Sequence, residues 1–182
     1  MLSVSPGTER FVVAVFCVGA AFMFTVSAVT HSRDWPIERV ESLVRFDHAA
    51  IFVMIAASAT PISVLGIGGD RGVWMAVIGW IVAAVGIGLE WTPWHPPKGL
   101  TNTLYIGFGL SFLAYLPWML ETMTAGELAL LFVGGAVYIV GALIVGTQSV
   151  DLWPDTFGYH EVWHVLVVVG VVIHGGLVWG LA

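Results

Sequence analysis

Two histidines four residues apart, His160 and His164, stand where the chain passes into the aliphatic run VLVVVGVV, and Glu161 follows the first of them. On a helix, positions i and i+4 share one face a turn apart, which suits two ligands of a single metal ion. The same letters spell H-E-x-x-H, the zinc protease pattern in which the glutamate activates water. His31 repeats the spacing with a hydroxyl, since Ser27 stands four residues before it, and Asp47 with His48 follows after a charged stretch. Three imidazoles with a fourth position left for water make the usual catalytic zinc arrangement, whereas a closed structural site needs a fourth protein ligand. In such a site Asp47 could hold the water or take its proton.

The elements that must position these residues cross a membrane. Of the 182 residues, 58% are hydrophobic and 10% charged, with a mean hydropathy of +0.93, far from the balance of a soluble domain. A helix needs roughly 20 apolar residues to cross the hydrocarbon core. Uncharged runs of about that length lie at Phe11–Thr30, Ala49–Gly68, Val73–Leu89, Asn102–Leu120, Leu128–Thr147 and Val162–Leu181. None alternates polar with apolar residues over ten-residue stretches, as a transmembrane barrel requires. The expected fold is therefore an all-α integral membrane protein, a six-transmembrane helix bundle forming a single domain over 1–182. Val26-Ser27-Ala28 has the small-residue pattern of a signal cleavage site, but the run is long for a signal core and Glu9 cancels Arg10 before it, so it reads as a span.

Counting spans places the chemistry at one level. His31 closes the first, Asp47 and His48 open the second, and His160 and His164 open the sixth, so all five fall on the same side. Arg33, Arg39, Arg45 and Lys98 also lie on that side and Arg10 and Arg71 on the other, which makes it cytoplasmic, with both termini outside the inner (plasma) membrane. The net charge of −6 sits in short connections and forms no basic patch, so nothing points to nucleic acid. His174 lies ten residues beyond His164, about 15 Å deeper, and cannot share its metal. It is expected to bond a neighbouring helix instead. His48 and His95 read as interfacial tips, and Cys17 and the intramembrane glycines as packing.

The connections carry their own signals. In HSRDWPIERVESLVRFDH, 31 to 48, Ile37, Val40, Leu43 and Val44 recur at helical spacing, which predicts a short interfacial helix with Pro36 in its first turn. WTPWHPPKG, 91 to 99, is too rich in proline to be helical, and its tryptophans suit the interface.

Taken together these segments resemble the hemolysin III branch of the progestin and adipoQ receptor family, which includes the adiponectin receptors. Ser27 to His31 matches its S-x-x-x-H, FDHAAIFVMIAASATP its D-H-x-x-I-F…T-P helix, and LYIGFG and GGAVYIVGA two later spans; HEVWHVLVVVGVVIH matches its H-x-x-x-H helix with the deeper histidine. The resemblance implies a bundle holding zinc near the cytoplasmic leaflet, with His31, His160 and His164 as ligands, Asp47 on the zinc-bound water and Ser27 next to that water. Adiponectin receptor members are associated with ceramidase activity and bacterial members with membrane lysis. Two departures stand out. The family has seven spans and its S-x-x-x-H helix is the second, so its first helix is expected to be missing here, which bears on bundle closure, substrate access and oligomeric state, a homo-oligomer included. Ala57 and Ala59 also replace the family's usual Gly and Tyr.

Three functions compete. The leading expectation is a zinc-dependent hydrolase of a lipid amide or ester, with Asp47 and Ser27 as catalytic residues, membrane lipids as partners and a substrate arriving laterally from the bilayer. An intramembrane zinc protease would use Glu161 as base, but its third ligand is usually an aspartate in a later span, and only the last helix follows the motif. A receptor, channel or membrane-perturbing protein would use the metal as a staple. Haem is disfavoured because clustered histidines exceed its two axial ligands.

Overall fold

A computed structural model of the chain describes residues 5–92, 100–153 and 156–182. The expected proline-rich loop with His95 lies, beyond Thr92, outside them. Most of the described residues are helical with no strand among them, and six helices are long and apolar enough to cross a membrane. This is an all-α, multi-pass membrane protein. Two compact units divide it, and each is built around a helix pair packed through small residues.

The first unit contains α1 (Pro6–His31), α2 (Ile37–Pro61) and α3 (Gly69–Glu90). Helix α1 begins earlier than its apolar run because Ser5 caps it, accepting from the Thr8 amide at 3.3 Å, and Pro6 occupies the first turn, where a missing N–H is harmless. The expected separate interfacial helix does not exist. Between Ile37 and Thr60 the sequence has neither glycine nor proline, so nothing interrupts the hydrogen-bond ladder, and the charged stretch and the span form one helix with Pro36 as its N-cap.

Helix α2 is the core of this unit: Ala50, Phe52, Met54, Ala56 and Ala57 are buried along it. Gly19 on α1 faces the Ala57 methyl so closely that a side chain there would overlap it. Alanine at 57, one of the two departures from the family pattern, is thus part of the α1–α2 contact. Pro61, which cannot donate to the ladder, is followed by a π-helical turn, Ile62–Ile67. Gly68 and Gly69 then take positive φ angles of 72° and 57°, a left-handed reversal that turns the chain into α3.

The second unit contains α4 (Leu100–Ser111), α5 (Leu116–Thr122), α6 (Ala125–Thr147) and α7 (Tyr159–Leu181). The fourth span is broken: α4 passes through a 3₁₀ turn, Phe112–Tyr115, before α5, and Pro117 follows at the first turn of α5, where its ring is tolerated. Helix α6 starts on a capping box, Thr124 accepting from the Glu127 amide at 3.3 Å and Glu127 accepting from the Thr124 amide at 2.6 Å.

Glycine spacing on α3 gives a paired prediction. A methyl on Gly86 would fall inside the buried Phe52 ring, whereas one on Gly88 meets nothing within 4 Å. Gly86→Ala is expected to lower stability by about 1–3 kcal/mol through overpacking. Gly88→Ala should raise it by up to ~1 kcal/mol through helix propensity. Thermal melts of both variants in one detergent should therefore move in opposite directions.

Candidate functional site

The residues with chemical potential form two half-sites, one in each unit. In the first, the end of α1 is tied down by its neighbours. The Trp35 indole N–H donates to the Val29 carbonyl at 3.1 Å and the Ser32 hydroxyl to the same oxygen at 3.0 Å, while the Arg33 guanidinium lies 3.9 Å from the Trp35 ring. These contacts reinforce the Ser32 amide, which already donates to the same C-terminal carbonyl at 3.4 Å. They fix the turn that carries His31.

Opposite, on α2, Asp47 directs its carboxylate at that imidazole, with Oδ2 3.7 Å from His31 Nε2. The distance is too long for a hydrogen bond, and both groups are partly exposed. Ser27 lies one turn before His31. Its hydroxyl takes no partner among the described residues, in contrast to Ser58, Thr60 and Ser63, which donate to carbonyls four residues back at 2.6 Å, 2.8 Å and 2.6 Å.

His48 is more than an interfacial tip. Its Nδ1 lies 3.2 Å from Glu90 Oε2, where Glu90 closes α3. Arg45, three residues earlier on α2, donates to the Glu90 and Thr92 carbonyls and pairs with Glu41 at 2.7 Å. A cation at a helix C-terminus complements the helix dipole and the free carbonyls. Consecutive residues of α2 therefore engage different neighbours, Asp47 toward α1 and His48 toward α3, and this sets the rotation of α2 that presents Asp47. The available signal was span parity: Glu90 closes the third span on the side where His48 opens the second.

In the second unit the two motif histidines meet at the start of α7. His160 Nε2 and His164 Nε2 are 3.0 Å apart, with the rings nearly perpendicular at 79°. Two nitrogens at 2.0–2.1 Å from one tetrahedral zinc would be separated by about 3.3 Å, so the pair is within a few tenths of an ångström of bidentate geometry. Glu161 points elsewhere. Its carboxylate accepts from the Gly158 amide at 2.9 Å, satisfying an N-terminal N–H of α7. The central letter of the protease spelling is a helix cap. His174, as expected, bonds a neighbouring helix, its Nε2 lying 3.2 Å from the Leu131 carbonyl of α6.

The arrangement offers paired imidazoles on one helix, an imidazole with a carboxylate on two others, and a hydroxyl a turn away. Sequence comparison supplies their context. The pattern describing haemolysin-III related proteins matches residues 1–175. Hemolysin-3 of Bacillus cereus is 29% identical over 167 residues, covering 90% of this chain and 73% of that protein. A Hemolysin-3 homolog of Bacillus subtilis (strain 168) is 26% identical over 156 residues, covering 86% and 70% respectively.

Proposed function

The chain belongs to the haemolysin-III related family, and on that premise we propose that it is a zinc-dependent membrane hydrolase that cleaves a lipid amide or ester. The observation that carries this reading is the His160–His164 pair, whose Nε2 atoms at 3.0 Å suit one metal ion. His31 is the third ligand in the proposal. Its support is span parity, which puts the end of α1, the start of the second span within α2 and the start of α7 on one side of the membrane, together with the family resemblance. We place that side at the cytoplasmic leaflet of the plasma membrane, with both termini outside, on the distribution of arginine and lysine.

Zinc, when bound, would supply a Lewis acid for the substrate carbonyl and lower the pKa of water towards about 7. The remaining chemistry belongs to the chain. Asp47 orients the attacking water and accepts its proton as the oxygen adds to the carbonyl carbon, then returns that proton to the departing amine or alkoxide. Ser27, one turn before His31 on α1, is the hydroxyl we assign to the neighbourhood of that water, as the family resemblance implies. A site at the membrane interface suits a substrate that arrives sideways from the bilayer and leaves one product, a fatty acid, in it.

The test is metal analysis of detergent-purified protein, followed by incubation of the metal-loaded protein with a total lipid extract and mass spectrometry of the products. The expected result is about one zinc per chain and release of free fatty acid from one lipid class. Absence of zinc would sink the reading. Stoichiometric zinc without turnover of any lipid would leave the metal as a staple between helices, the non-enzymatic alternative.

A further inference from the structure

Helices α6 and α7 interlock deep in the second unit through a reciprocal contact the proposed hydrolysis does not use. Gly134 and Tyr138 lie one turn apart on α6, and Gly170 and His174 one turn apart on α7. The His174 ring occupies the space where Gly134 would carry a side chain, and the Tyr138 ring the space where Gly170 would carry one. The two rings meet edge to face with centroids 5.3 Å apart. Each glycine removes a methyl so that a polar ring from the other helix can approach the backbone.

Packing alone would be served as well by phenylalanine. What distinguishes this pair is its hydrogen-bonding inventory. A carbonyl can only accept, so the 3.2 Å contact with the Leu131 oxygen puts the proton of the neutral imidazole on Nε2. Nδ1 is then a bare lone pair and can only accept. It is buried and takes no partner among the described residues, and the same holds for the Tyr138 hydroxyl, a donor. His174 is 7% exposed. A donor and an acceptor thus sit on two rings in edge-to-face contact, both unsatisfied among the described residues, at a depth where an unpaired polar group is costly.

We propose that Tyr138 and His174 form a hydroxyl-binding site in the membrane interior, distinct from the histidine and aspartate half-sites. One O–H group completes it by accepting from Tyr138 Oη–H and donating to His174 Nδ1. That inventory selects against ions and carbonyl compounds: a carbonyl cannot donate to Nδ1, and an ammonium cannot accept from the phenol. Two sources carry the required chemistry, an ordered water and the hydroxyl of a membrane alcohol such as a diacylglycerol. The site does not depend on zinc or on the hydrolase reading.

The test is ¹⁵N NMR of histidine-labelled full-length protein in nanodiscs, the His174 signals being assigned by their disappearance in His174→Phe. One preparation contains phosphatidylcholine alone, which has no hydroxyl, and a second adds dioleoylglycerol. The expected spectrum has a protonated Nε2 and an Nδ1 shifted by an accepted hydrogen bond, and Tyr138→Phe, which removes one oxygen atom, should move Nδ1 toward its unbonded position. Magnetisation transfer from water to Nδ1 in both preparations identifies water. Transfer from lipid protons, appearing only with dioleoylglycerol, identifies the membrane alcohol. An Nδ1 that is protonated, or that stays at the unbonded position in both preparations, overturns the proposal, as does a bonded Nδ1 that receives magnetisation only from the Tyr138 hydroxyl.

Discussion

Replacing His160 and His164 together by alanine is expected to reduce bound zinc from about one equivalent per chain to a trace. The two Nε2 atoms are 3.0 Å apart on consecutive turns of α7, so the helix would present both to the proposed metal and little ordering would be needed on binding. Removing both leaves at most one of the three proposed imidazoles, and a lone imidazole at the membrane interface holds zinc no better than any exposed histidine. The single variants should retain zinc more weakly and lose it on dialysis against a chelator. Helix α7 should persist, because alanine is the best helix former and the Gly158–Glu161 cap is untouched. Zinc content by elemental analysis, with circular dichroism as the control for folding, reads the outcome. A double variant that keeps full zinc would place the metal elsewhere.

The number and order of the membrane-spanning helices were legible in the sequence, for a specific reason. Apolar runs are long because the bilayer is thick, so span number and order follow from composition, and span parity then sorts polar residues by side. The proposal that His31, Asp47 and the α7 pair share one side rests on that reasoning. What it could not read is how elements continue or break. The segment from 37 to 48 is charged enough to look like a separate surface helix, yet it fuses with the span because no glycine or proline stops the ladder. The fourth span is uncharged throughout, yet a 3₁₀ turn and Pro117 interrupt it.

Side-chain partnerships are less legible still. Gly86 and Gly88 are both small residues on one helix, and only the packed structure tells which of them faces Phe52. His48 looked like an isolated interfacial histidine because its partner, Glu90, is 42 residues away in the chain. The same limit hid the Tyr138–His174 contact, since a helix sequence gives the face of a residue but not the depth at which a neighbouring helix meets it. Glu161 is the opposite case: the local rule for a residue three positions into a helix explains it completely, once α7 is seen to begin at Tyr159.

The two carboxylates can therefore be set against each other. Asp47→Asn keeps size and shape but cannot take a proton, and it should lower the rate of lipid hydrolysis by about 10²–10⁴-fold, the usual contribution of a positioned general base. The residual rate would come from the metal and from substrate positioning. Glu161→Gln should stay within a few-fold of the parent, because the amide oxygen of glutamine can still accept from the Gly158 N–H, and α7 keeps its start. Steady-state turnover of the two metal-loaded variants on the same lipid discriminates the readings, provided zinc content is equal in both. A large loss from Glu161→Gln with Asp47→Asn nearly unaffected would restore the protease assignment, because only there does Glu161 activate water. The structure favours the first outcome on two distances: Asp47 Oδ2 lies 3.7 Å from His31 Nε2, while the Glu161 carboxylate is already engaged 2.9 Å from a backbone amide outside the half-site.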